Sequence, residues 1–189
     1  FLKYGDPDIF INTSYPIDNN WSKCTFSKIK NEYLKSNVNL HLNSYVLTAI
    51  KFAEIMVKKK INGSILLMSS IYGFLGQDLD LYKGSNMNEN VAYSVIKSGV
   101  INLVKQMSSY YAKHKIRINC VSPGGLYGHI KGKKNQQSKK FIKRYSKKTP
   151  LLRLGEANEV AKLILFLTTK NASYITGSNI IIDGGISVV

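Results

Sequence analysis

Acidic residues are scarce in this chain: 11 Asp and Glu stand against 27 Lys and Arg, a formal net charge of +16. Arginine is also scarce, so lysine carries nearly all of the positive charge. Cysteine occurs only at Cys24 and Cys120, with neither metal nor redox spacing, as expected of ordinary reduced thiols. No His, Cys, Asp and Glu cluster reads as a metal site. Long apolar runs are missing too, and the longest fall far short of the roughly 18 residues that a membrane span needs. No n-region, h-region and cleavage site opens the chain, so a cytoplasmic location is the default expectation. No zinc knuckle, aromatic ribonucleoprotein motif or helix-turn-helix signature accompanies the charge, and nucleic acid is not an expected partner.

What is present is a chain of 189 residues, 44% hydrophobic, with 12 Tyr and 7 Phe. That suits a single globular domain over residues 1–189 rather than disorder. Nine of the basic residues lie between Lys131 and Lys148 with no acid among them. Such a segment could attract a phosphorylated or otherwise anionic ligand, or be a solvated lysine-rich loop. The chain begins at Phe1 rather than Met, and reads as a buried strand almost at once, which suggests a lost upstream piece.

Ile9 to Ile11 is a short apolar run of the buried parallel-strand kind, ended by Asn12-Thr13-Ser14. Pro16 to Lys23 reads as loop. Ser27 is a plausible N-cap for a short helix to Lys35. A long helix is expected from Asn37 to Lys60, stopped by Asn62-Gly63. Ser64 to Met68 is the next strand, running into Ser69-Ser70 and a loop to Asn90. A second long helix fits Val91 to Lys113, and a third strand Ile116 to Val121, closed by Ser122-Pro123-Gly124-Gly125. Helices at Ser138 to Ser146 and Glu156 to Thr168 and a strand at Asn179 to Ile182, ending in Asp183-Gly184-Gly185, complete the chain.

This alternation is that of a parallel α/β sheet, whose ligand sites lie beyond the carboxyl ends of the strands. Those ends carry Asn12, Ser69-Ser70, Ser122-Pro123-Gly124 and Asp183-Gly184-Gly185. Tyr93 and Lys97, four apart, share one face of a helix. The ammonium can lower the phenol pKa, letting the phenol exchange a proton with a substrate oxygen near neutral pH. The same spacing is also a common surface pairing on helices.

Taken together these residues resemble the short-chain dehydrogenase/reductase family. Its pattern is a strand ending in Asn-Asn-Ala-Gly, a strand ending in a catalytic serine, a Tyr-x-x-x-Lys helix and a strand ending in Asn/Ser-Pro-Gly. An Ile-Thr-Gly…Asp-Gly-Gly close completes it. Here the matching residues are Asn12 to Tyr15, Ser69-Ser70, Tyr93 to Lys97, Ser122-Pro123-Gly124, and Ile175-Thr176-Gly177 with Asp183-Gly184-Gly185. The resemblance implies a Rossmann-like, doubly wound parallel α/β sheet and an NAD- or NADP-dependent oxidoreductase. Tyr93 would be the general acid or base, and Ser70 would hydrogen-bond the substrate oxygen, with Ser69 as the alternative. Lys97 would bind the nicotinamide ribose and hold the tyrosine pKa down, with Asn12, Pro123 and Gly124 on the cofactor side. It also implies a homodimer or tetramer through the two long helices.

Four departures qualify the match. The Gly-rich pyrophosphate loop and the first three strands are absent, so the sheet is expected to be truncated, with Ile9 to Ile11 as an unpaired apolar edge. Thr13-Ser14-Tyr15 is bulkier than Asn-Ala-Gly. The asparagine slot of the long helix falls on His41, with Asn39 and Asn43 two residues to either side. Lastly, a long insert around Gly76 to Tyr82 separates Ser70 from Tyr93, similar to reductases of flagellin-glycan and nonulosonic (sialic-acid-like) sugar pathways. That subgroup implies a sugar or nucleotide-sugar substrate whose phosphates lysines 131 to 148 would suit. Other activities of the family, such as 3-oxoacyl-carrier reduction, and an inactive remnant unable to bind cofactor stand as alternatives. The choice of NAD or NADP is usually set in the part not seen here.

Overall fold

The four apolar runs become four strands: β1 (Ile9–Asn12), β2 (Ser64–Met68), β3 (Arg117–Pro123) and β4 (Asn179–Ile182). The protein is described by a computed structural model that covers residues 5–85, 87–128 and 137–189. The strands form one sheet in the order β1-β2-β3-β4, and every pairing is parallel. Parallel direction puts all the carboxyl ends on one edge, so Asn12, Ser69, Pro123 and Asp183 end up along the same rim.

Alternation along the strands then divides the core. Ile65 and Leu67 of β2, with Ile118 and Cys120 of β3, face one way. Against them pack α2 (Ser44–Lys58), through Tyr45, Ala49, Ala53 and Met56, and α3 (Val91–Tyr111), through Val100, Val104 and Met107. Leu66 and Val121 face the other way, onto Val160 and Leu167 of α5 (Ala157–Thr168). Helices on both faces make the sheet doubly wound, and β3 is buried almost throughout, its polar Asn119 and Ser122 hydrogen-bonded to Ile175, Ser178 and Asn179. Each fully buried Leu, Ile or Val contributes roughly 1.5–3 kcal/mol.

The first helices differ from the sequence expectation. Ser27 is not a cap; α1 spans Asn31–Asn37 and begins after Lys30. No break separates α1 from the long helix. A π-helical turn, Val38–Asn43, joins α1 directly to α2 with helical backbone throughout. Gly99 of α3 helps this turn approach: a Cβ there would lie 2.9 Å from a terminal methyl of Leu42, which would have to shift.

The insert is also more than a loop. It carries 3-10 turns at Ile71–Gly73 and Leu79–Leu81 and buries Leu81. Leu81 joins Phe141 and Tyr145 of α4 (Lys139–Lys148) and Leu154 in a separate small apolar cluster. Among the described residues no helix is long and apolar enough to cross a membrane.

At the sheet edge, Ile9 and Ile11 are 41% and 43% exposed, and among the described residues no strand pairs with β1 on its far side. Ile9→Lys and Ile11→Lys should reduce self-association measured by light scattering while changing unfolding free energy by only about 0.5 kcal/mol. Unchanged association would show that this edge is not the sticky surface.

Candidate active site

The site is assembled by stitching the end of β2 onto α3. Ser69 Oγ donates to the Lys97 carbonyl at 2.8 Å, and Ser98 Oγ donates to the Gly73 carbonyl at 2.7 Å. Gly73 lies so close to α3 that a Cβ would stand 2.9 Å from the Lys97 backbone. With Ser69 used in this way, Ser70 faces the tyrosine: it lies close enough to the Tyr93 hydroxyl to lower its pKa, and its side chain accepts from the Tyr72 amide at 3.2 Å. Asn90, the N-cap of α3, sets the first turn by accepting from the Tyr93 amide at 2.8 Å.

Lys97 is only 2% exposed. Its ammonium donates to the Met68 carbonyl at 3.0 Å and lies 3.5 Å from His41 Nε2. The faces of Tyr15, Tyr45 and Tyr93 surround it at 5.3–5.7 Å from their centroids. Burial pulls the lysine pKa down to about 8. Burial also pushes the Tyr93 phenol up, offset in part by the Ser70 hydrogen bond. This corrects the expectation that the lysine holds the phenol pKa down: desolvation outweighs the ammonium when no ligand is bound.

His41 stands in the asparagine slot. Asn39 and Asn43 pair with each other on the exposed side of the π turn, at 2.8 Å, so neither reaches Lys97. His41 is wholly buried, and burial followed by the nearby Lys97 charge lowers its pKa to about 4. It is therefore neutral at pH 7. Accepting from Lys97 at Nε2 leaves the proton on Nδ1, which is buried without a hydrogen-bond partner.

Asn12 does not touch these groups directly. Its Oδ1 accepts from the Ser14 amide (3.0 Å) and hydroxyl (2.6 Å), and its amide reaches Thr48. The turn so fixed, also held by Tyr45 Oη on the Ser14 carbonyl, aims Tyr15 into the site. The Tyr15 ring packs edge-on against His41, Tyr93 and Trp21. Pro123 and Gly124 lie on the rim but outside this group of contacts. A Cβ on Gly124 would meet Asp183 at 2.9 Å and Tyr145 at 3.0 Å, so the glycine serves the approach of α4 and β4. Tyr145 Oη accepts from the Gly125 amide.

Tyr15, Trp21, Tyr72 and Tyr145 were not singled out as site residues by the sequence, since no spacing links them to Tyr93. Gln77 is another such residue. Its amide donates to the Asn90 carbonyl (2.8 Å) and Ser94 Oγ (2.9 Å), while its Oε1 accepts from the Asn90 amide (3.0 Å). Asn90 Nδ2 in turn donates to the Trp21 carbonyl at 2.8 Å. Insert and Pro16–Lys23 loop are thus both hooked to the cap of the helix that carries Tyr93. On the far side, Asp78 of the insert pairs with Lys148 of α4. One of the lysines expected to meet phosphates is therefore used internally; Lys131, Lys133 and Lys134 lie outside the described residues.

The family model described as "Enoyl-(Acyl carrier protein) reductase" matches residues 2–187. The chain belongs to the short-chain dehydrogenase/reductase family. It is 28% identical over 98% of its length to "Post-translational flagellin modification protein A" of Campylobacter coli, of which it spans 69%. It is 31% identical over 83% of its length to the 3-oxoacyl-(acyl-carrier-protein) reductase FabG of Buchnera aphidicola, spanning 59% of that protein. Among solved structures, a short-chain dehydrogenase of Leptospira borgpetersenii with bound NAD+ superposes with a TM-score of 0.83 at 33% identity, over 96% of this chain and 65% of that one.

Against a dinucleotide of the kind this family uses, the described residues fit one end. An ammonium has three donors. Met68 and His41 take two on Lys97, which leaves one for a ribose hydroxyl beside Tyr93. No described residue supplies a glycine-rich turn at a helix N-terminus for the pyrophosphate.

The histidine gives a pH signature of folding. Its folded pKa lies near 4, below the unfolded 6.5, so the unfolded chain binds more protons between those values and stability falls as pH drops through that window. The loss attributable to His41 should reach roughly 3 kcal/mol at pH 4. Urea unfolding of wild type and His41→Asn at pH 7 and pH 4 should show a smaller acid loss in the variant. Equal losses would mean that His41 takes up its proton in the folded protein as readily as in the unfolded chain.

Proposed function

We propose that the chain carries the proton-transfer half of an NAD- or NADP-dependent oxidoreductase that interconverts a carbonyl and an alcohol. The observation that carries this is the convergence of Ser70, Tyr93 and a buried Lys97 on the rim of a parallel sheet. When bound, the nicotinamide supplies the hydride. The protein's own part is the proton. Ser70 holds the substrate oxygen, Tyr93 donates its phenolic proton to that oxygen as the carbon is reduced, and Lys97 holds the ribose and steadies the phenolate that forms. A phenol pushed up by burial stays protonated at neutral pH, the form that can donate to the substrate oxygen. His41 keeps Lys97 in place.

For the substrate, the long insert and the flagellin-modification relative support a sugar or nucleotide-sugar. A second reading, reduction of a 3-oxoacyl carrier substrate, is supported by the FabG relative and by the apolar cleft beside Tyr72. The assembly would be a homodimer or tetramer in the cytoplasm, through the two long helices, which keep Leu47 and Val95 exposed.

In the protein with its full cofactor site, Tyr93→Phe should lower kcat by about 10²–10⁴ while leaving the dissociation constant for NADH or NADPH within about twofold. Wild-type kcat in that variant would remove Tyr93 from the mechanism. Calorimetric titration of the present chain with NADH and NADPH should show weak or no binding. Micromolar binding would overturn the requirement for a separate pyrophosphate turn.

A further inference from the structure

The turn after β1 carries Tyr15 where the family pattern has glycine, and the proton transfer assigned to Ser70, Tyr93 and Lys97 does not use it. Its ring lies over Lys97, with the centroid 5.7 Å from the ammonium. It also packs edge-on against His41 at 5.3 Å and Tyr93 at 5.9 Å. Tyr15 therefore stands against the two groups, Lys97 and Tyr93, beside which a nicotinamide ribose would have to lie. Lys97 itself is 2% exposed, so no ribose hydroxyl reaches its third N–H while the surrounding groups stay where they are.

The groups that enclose the ammonium differ in freedom. The Met68 carbonyl belongs to β2, held in the parallel ladder opposite Val121. His41 and Tyr45 are wholly buried, and Tyr45 Oη is tied to the Ser14 carbonyl. Tyr93 is fixed in the first turn of α3 by the Asn90 cap. Tyr15 alone among them is half in water, at 49% exposure, and sits on a loop. Its backbone is not free. Asn12 Oδ1 holds the Ser14 amide and hydroxyl, and Tyr45 holds the Ser14 carbonyl. The movement open to Tyr15 is thus a rotation of its side chain about a fixed turn. That rotation gives up one cation–π contact and edge contacts with neighbouring rings.

We propose that Tyr15 is a hinged cover on Lys97: it seals the ammonium from water in the unliganded chain and swings outward to admit a ribose hydroxyl. The swing exchanges a cation–π contact for a hydrogen bond. A ligand with no hydroxyl to offer the ammonium gains nothing from the open position and does not shift the ring toward it. Only molecules with the ring out bind, so the cover weakens the apparent affinity for a ribosyl nicotinamide by the fraction that is open. A cation–π contact of ordinary strength makes that effect roughly tenfold. The swing rests on the reading of Lys97 as the ribose ligand; the seal over the lysine is independent of it.

The seal is read by acetylation of the present chain with acetic anhydride, followed by peptide mass spectrometry with the exposed lysines as internal reference. Burial brings the Lys97 pKa down to about 8, so much of the amine is unprotonated at mildly alkaline pH and its labelling there reports access. Tyr15→Ala should label Lys97 roughly tenfold faster than wild type. Tyr15→Phe, which keeps the ring, should label it at the wild-type rate. Equal labelling in wild type and Tyr15→Ala overturns the seal. The swing is read by calorimetric titration with reduced nicotinamide mononucleotide, which has the ribose and ring but no pyrophosphate bridge. Tyr15→Ala should bind it roughly tenfold more tightly than wild type. Weaker binding would make the ring a stacking wall for the nicotinamide, and equal binding would place it out of the ligand's path; either overturns the proposal. Circular dichroism confirms that each variant is folded. Adding Lys97→Met to Tyr15→Ala should remove the gain. A gain that survives Lys97→Met refutes Lys97 as the ribose ligand, and no binding by any variant refutes the swing. Lys97-dependent binding that Tyr15→Ala does not tighten refutes the cover alone and leaves the ribose role of the lysine standing.

Discussion

A buried ammonium organises this protein. Lys97 sits at 2% exposure on the inner face of a long helix, where an uncompensated charge would be costly. Its partners come from three separate parts of the chain. They are a carbonyl at the end of β2, an imidazole from the π turn and a ring of tyrosine faces. Each of these is displaced if the packing of helix on sheet shifts by an ångström or two. The lysine therefore fixes where the strand end, the π turn and the Tyr15 loop meet, and Tyr93 stands one helical turn away.

The same charge explains the histidine. An asparagine side chain is shorter than an imidazole and would not cover the same span from the π turn to the ammonium. The imidazole makes direct contact at the expense of a buried Nδ1 with no partner. Because Lys97 is positive and the surroundings are dry, His41 stays neutral, the only form in which its Nε2 can accept. Burial and the lysine charge together thus keep the histidine neutral.

Around this core the insert works as a wall. Gln77 ties it to the cap of α3, and Asp78 ties it to Lys148 of α4. Leu81 seats it on Phe141 and Tyr145. These attachments turn a stretch without regular strand or long helix into one side of a mostly apolar cleft. A charge-rich helix thereby packs Phe141 and Tyr145 inward, pairs Lys148 with Asp78 and places Lys147 in the cleft wall.

Much of this was legible from the chain alone. The four strands follow from short apolar runs closed by polar and glycine residues, and β2 and β4 fall where those runs predict. Parallel order, and with it the shared rim, follows from the strand–helix alternation. Ser70, Tyr93 and Lys97 are readable because their spacing is local or at strand ends. The rest depended on contacts between residues far apart in sequence. Nothing local distinguishes His41 from Asn39 or Asn43; only the π turn decides which of them points inward, and Gly99 admits that turn. The direction of the Tyr93 pKa was set by how much water the fold removes from the phenol, which i to i+4 spacing does not encode. The cleft likewise exists only once the insert, α4 and the segment after β4 are brought together. Sequence determined which groups sit on the rim; tertiary structure decided which of them face one another, because burial and approach are properties of the packed chain.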